Sequence, residues 1–291
     1  DAEAFTRNAN DRIASGVLCR DELNAVNTEL GETTVLGSLL GMARGYLDGF
    51  KLTRSAPTDI QVGVGSAVAL SYDAFIRLTA ATVKDITAAW AAGTGNGGRP
   101  STVSLTDDTW FHVFVIKRDS DGAVDAGFDV ALNGSNLLTD SGYDYARRGG
   151  SVFHIDATDR IQDFIHAIES DRFIWADPVP TIVSTAVASQ PAVTTLALTN
   201  AVPPGMEIEA LLMGSVGHTG AYATRLWDGP MGSGLQLSAS AITGAPTNSH
   251  VWELSMITNT LRQIYASETL AGAPVNLTLL SRGYMDKRIL A

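Results

Sequence analysis

Residues 90–100 read WAAGTGNGGRP and place Gly93, Gly95 and Gly98 at the G-x-G-x-x-G spacing that holds a dinucleotide pyrophosphate. That chemistry needs the glycines to leave a strand and open a helix whose amino terminus meets the phosphates. Downstream, residues 99–109 are polar, rich in β-branched side chains and carry Pro100 near their start, so no amphipathic helix fits. Asp119 follows the strand-like run Trp110–Lys117 at about the separation of a ribose-binding acid, yet the intervening stretch is too short for a helical crossover. These residues predict a flexible glycine loop, and no cofactor is expected.

Other chemistry-bearing residues are weighed the same way. Asp119, Asp121, Asp125 and Asp129 could offer carboxylates to a hard cation. An EF-hand needs glycine at its sixth position and a terminal glutamate, whereas Gly122 is fourth from Asp119, so a solvated hairpin turn is expected and no metal. Glycoside hydrolysis needs two suitably separated carboxyls. Asp107 and Asp108 beside Trp110, and Glu207 with Glu209 on one strand face, mark no cleft, and the expectation is that the chain is not an enzyme. His112, His154, His166, His218 and His250 never approach zinc-ligand spacing, and no G-x-S-x-G elbow surrounds Ser215 or Ser233. Two glycine-rich loops remain, around Gly214–Tyr222 and Trp227–Gly234. Their His218, Tyr222, Trp227 and Asp228 are the candidate ligand contacts, suited to stacking on a sugar, although Tyr222 and Trp227 fit a core equally well.

The elements that would position these groups are mostly strands. The chain has 291 residues, 28 glycines and only 18% charged residues, a balance that favours short strands joined by turns. Its net charge of -11 argues against nucleic acid. Cys19 is its one cysteine, so no intrachain disulfide forms. No apolar run approaches the roughly 18 residues of a membrane span, and no membrane insertion is expected. Residues 1–49 read as a helical or mixed segment, with Leu23, Val26 and Leu30 on one stripe.

From Phe50 the pattern alternates, placing Ile60, Val62 and Val64 on one face. Strands are expected at residues 75–78, 110–117, 126–132 and 173–176, and one helix at 159–170, where Ile161, Phe164, Ile165 and Ile168 share a face. Asp177-Pro178-Val179-Pro180 is the expected boundary. Beyond it a second unit has strands at residues 194–198, 207–214, 222–227, 251–258 and 275–280. The predicted fold class is mainly β: the amino-terminal segment (1–49), then two β-sandwich or jelly-roll-like units at 50–177 and 178–291.

The stretches DGFKLTRSAPTDIQVGVGSAVA, AATVKDITAAWAAGTGNGG and DDTWFHVFVIKRDSDGAVDAGFDV resemble, in that order, a module of tail-fibre and related virion proteins of tailed bacteriophages. The likeness is strongest over residues 48–177. SGVLCRDELNAVNTEL resembles the attachment segment that often precedes such modules, and LTLLSRGYMDKRIL a terminal strand, with Ile289 where the family usually has glycine. The resemblance implies a non-enzymatic, trimeric virion component at the tail or particle periphery, assembled in the bacterial cytoplasm. Residues 1–49 would join it to other virion proteins, and its surface would meet a host glycan. Gly93, Gly95, Gly97 and Gly98 become a structural loop, and Trp90 a packing anchor. The alternatives are a tailspike-like glycan depolymerase, a head decoration protein or a carbohydrate-binding module.

Overall fold

A computed structural model describes residues 45–155, 159–176, 181–187, 194–217, 224–227, 236–238, 250–268 and 275–286. Strands β1 (Leu47–Gly49), β2 (Leu52–Arg54), β3 (Asp59–Val62), β4 (Gly65–Val68), β5 (Phe75–Leu78), β6 (Thr82–Ala89) and β7 (Asn96–Arg99) precede β8 (Thr109–Lys117) and β9 (Val124–Asp129). A short helix α1 (Ser135–Ser141) leads to β10 (Tyr145–Ile155), β11 (Arg160–Ile161), β12 (Phe164–Ala167), a 3-10 turn and β13 (Arg172–Trp175). Then come β14 (Thr181–Val187), β15 (Thr194–Ala197), β16 (Glu209–Gly217), β17 (Thr224–Trp227), β18 (Gln236–Ser238), β19 (His250–Ile257), β20 (Gln263–Glu268) and β21 (Val275–Met285). The chain is mainly β and folds into several sheets.

Strand β8 shows why. Every residue from Trp110 to Ile116 is buried, so the strand is covered on both faces and reads as one apolar run. It lies between β9 and β10 in the sheet β11-β10-β8-β9. Strands β3 and β6 alternate instead, with Ile60, Val62 and Ile86 turned inward. Strand β3 ends at Val62, so Val64 leaves the expected apolar face and is 56% exposed. Among the described strands, β6 and β7 form the one parallel pair.

Residues 159–170 are not the expected helix. They form β11, β12 and the 3-10 turn, with Phe164 buried while its neighbour Ile165 is 60% exposed, the alternation of a strand. Spacing alone cannot separate a short apolar run in a strand from one in a helix. Long-range pairing decides it here: Phe164 sits opposite Trp175 in a hairpin, and β13 then pairs with β21.

That pairing runs across the expected boundary. Residues 177–180 lie outside the described residues, but β12 and β13 on one side join β21, β16 and β19 on the other in a single sheet, to which β14 adds through β21. One apolar cluster extends from Phe50 to Tyr284. Within it Trp110 packs against Phe153, Trp175 and Tyr284, and its indole N–H donates to the Thr199 carbonyl at 2.9 Å. Residues 1–44 of the expected amino-terminal segment are outside the described residues, and residues 47–49 form β1, paired with β4.

Candidate functional site

The glycine loop is closed by the protein's own cation. Lys84 projects from β6 and is 1% exposed, and its Nζ donates to the carbonyls of Ala91 (2.6 Å) and Gly93 (2.9 Å) and to Asp125 Oδ2 (3.1 Å). The same Asp125 oxygen accepts the Gly93 N–H at 2.7 Å, while Oδ1 accepts the Ala126 N–H. Trp90 lies against this group with its ring centroid 5.1 Å from Nζ, and its own N–H donates to the Ala126 carbonyl. Burial pulls the Lys84 ammonium below the ordinary lysine value, and Asp125 acts against that shift.

The loop therefore turns carbonyls toward an internal lysine, and strand β7, rather than a helix, follows it. Gly93 and Gly95 lie in the loop, whereas Gly97 and Gly98 belong to β7. A Cβ on Gly97 would stand 2.0 Å from the Ala89 carbonyl oxygen, and one on Gly98 would stand 2.8 Å from the Phe128 ring. Neither position has room for a side chain.

The aspartates of the β8–β9 turn separate. Asp121 pairs with Arg118 at the surface, Asp125 serves Lys84, and buried Asp129 accepts from Ala131 N, Asn136 Nδ2 and Leu137 N. The last contact satisfies a first-turn N–H of α1, whose N-cap residue Gly134 has no side chain to do so. They do not converge on one point.

An open site lies on the outer face of the six-stranded sheet. There a cavity of about 300 Å³ is lined by Arg172, Ile174, Leu211, Glu253, Ser255 and Arg282, among others. Its shape follows from registry. Ile174, Leu211 and Ser255 of the lining stand in one row across β13, β16 and β19, with Gly283 of β21 between the first two and packed against the Phe173 carbonyl. Leu211 pairs with Gly283 and Leu212 with Ser281, which leaves Arg282 as the extra residue of a β-bulge. The bulge keeps Ser281 and Leu212 buried while Arg282 is exposed at the cavity.

The expected sugar contacts fall outside what the structure describes. His218, Tyr222 and Asp228 are outside the described residues; Trp227 ends β17, and its side chain is likewise outside them. Exposed Asp107 and Asp108 precede β8, and Glu207 and Glu209 lead into β16; neither pair lines the cavity. The sequence reading missed Arg172 and Arg282. A usable signal was Ser281-Arg282-Gly283 inside a strand pattern, since an isolated glycine there marks a bulge.

No protein-family model matches the chain, and no curated protein matches it. Among solved structures, a chain of infectious bursal disease virus, Gx strain, aligns over 81% of this chain and 66% of its own length, with 13% identity and a TM-score of 0.19. At that TM-score the likeness carries no argument about fold or function.

Proposed function

We propose that the chain is a virion structural protein, a component of a fibre-like appendage of a tailed bacteriophage, which acts by mechanical connection and surface contact rather than catalysis. The supporting observation is where the residues of the phage-like module go. Trp90, Gly93, Gly97, Gly98, Trp110 and Asp125 are all used in internal hydrogen bonds, ring packing or close backbone approach. A motif consumed by its own scaffold suits a stiff load-bearing unit. Trimeric association would cover, with neighbouring subunits, any sheet edge that one subunit leaves open. Residues 1–49 would provide attachment to the particle.

The direct experiment is immunogold labelling of phage particles produced by the encoding strain, with antibody raised against the full chain. Label at the tail or particle periphery is expected, together with a solution mass near three protomers by light scattering. Purified particles without the chain would overturn the reading. Release of reducing ends from host capsule or lipopolysaccharide would replace it with the depolymerase.

A further inference from the structure

The cavity on the six-stranded sheet has chemistry that the scaffold does not use. Arg172 and Arg282 are both exposed and both line it, and among the described residues neither has a hydrogen-bond or ion-pair partner. Exposed Arg77 of β5 is likewise without one, but it stands alone, whereas Arg148 is held by Asp286, Arg118 by Asp121, Arg54 by Asp163, and Arg99 donates to the carbonyls of Ile86 and Thr87. In a chain of net charge -11, two free guanidiniums at one depression are an electrostatic exception. Arginine's planar fork matches carboxylate and phosphate oxygens.

We infer that this cavity binds one sugar residue bearing an oxyanion, a uronate carboxylate or a sugar phosphate, on an anionic glycan. Arg172 and Arg282 hold the oxyanion. Ile174 and Leu211, both in the cavity lining, give the ring's C–H face an apolar floor. Glu253 accepts from, and Ser255 exchanges hydrogen bonds with, ring hydroxyls. A volume of about 300 Å³ lies at the lower end of small-molecule sites, the scale of a monosaccharide rather than a long chain. Two guanidiniums against one carboxylate select for an anion, while Glu253 disfavours an anion that brings no sugar hydroxyls to it. The inference rests on the surface-contact half of the proposed function, and it names the class of glycan.

The test titrates the full chain, followed by NMR, with galacturonate, glucose 6-phosphate, galactose and inorganic phosphate at about 0.15 M salt, where exposed charges are partly screened. Binding of galacturonate or glucose 6-phosphate at least tenfold tighter than galactose and inorganic phosphate is expected, and which acidic sugar prevails identifies the oxyanion. Arg172→Gln and Arg282→Gln should each weaken it about tenfold, and Glu253→Gln should narrow the gap between the sugar acid and inorganic phosphate. All three side chains are exposed, so an unchanged unfolding midpoint in each variant separates lost binding from lost fold. Equal binding of galactose, or indifference to both arginine substitutions, overturns the inference. So does a change of solution mass in Arg172→Gln, because the face would then join copies of the chain. Immunogold label on particles without any sugar binding would leave the virion reading standing and remove this one; binding without label would do the reverse.

Discussion

Arg148 and Asp286, 138 residues apart, meet through two parallel hydrogen bonds of 2.6 Å, with both side chains at most 1% exposed. The pair ties β10 to the residue that follows β21. Burial opposes the guanidinium charge, yet Asp286 raises the Arg148 pKa above its ordinary value. Ser151 adds a hydrogen bond to Arg148 Nη1, and Tyr284 beside the pair donates its hydroxyl to the Ser151 carbonyl.

Removing one partner strands a buried charge. Arg148→Met and Asp286→Leu are each expected to cost about 3–5 kcal/mol. The double variant Arg148→Met/Asp286→Leu should cost far less than the sum, because no unpaired charge remains. Guanidinium denaturation of the four proteins completes the cycle, and additive losses would show that the two residues act independently.

Acid should weaken the fold through His112. Its imidazole is held down to a pKa of about 3, first by burial and then by the positive charge of Arg148, against an unfolded value near 6.5. Between those values the unfolded chain binds the extra proton. Stability therefore rises with pH across the window and is lost as pH falls through it, by an amount on the order of 4–5 kcal/mol. His112→Asn, which can still reach Ser151, should flatten the acid limb by about one proton relative to the parent. Parallel acid limbs for the two proteins would count against this assignment.

The bulge beside the cavity depends on Gly283. Its φ is 137°, and a Cβ would lie 1.9 Å from the Phe173 carbonyl oxygen. Gly283→Ala is expected to cost about 3 kcal/mol or more, from strain and displaced β13 backbone. Gly95→Ala has φ 76° but nothing within 4 Å of the added carbon, and it should cost only about 1 kcal/mol. Thermal unfolding of both variants gives the comparison, and equal shifts in Tm would refute the steric argument.

Lys84 is expected to hold the glycine loop shut. Lys84→Met removes the donor to two loop carbonyls and leaves Asp125 buried with one fewer partner, a loss of about 3–5 kcal/mol. Amide exchange at Ala91 and Gly93 should accelerate more than exchange along β8. Uniform acceleration would mean that the loop opens only when the whole fold does.

Much of the strand pattern was legible, and the reasons are local. Trp110–Lys117 is apolar, aromatic and β-branched over its whole length, and the structure makes it the strand β8. Asp121-Gly122 predicted the β8–β9 hairpin, where Gly122 adopts φ 71°. Residues 159–170 misled because Ile161, Phe164, Ile165 and Ile168 satisfy helical spacing, while pairing with the neighbouring strands β10 and β13 satisfies their backbone. Strand β10 was missed altogether. Its Arg147 and Arg148 look like surface residues in isolation but are buried, and charged residues are rarely interior unless paired.

By itself the amino-acid sequence determined which segments favour strands, where the turns fall, and that the glycines of residues 93–98 open no helix, because these properties depend on side chains within a few positions of one another. Tertiary structure decided which charges meet. Lys84 and Asp125 are 41 residues apart, and Arg148 and Asp286 are 138, so their pairing exists only once strand order and registry are set. It also decided the cavity. One extra residue in β21 sends Arg282 to the outer face beside Gly283, and in a strand a shift of one residue is all that separates core from solvent.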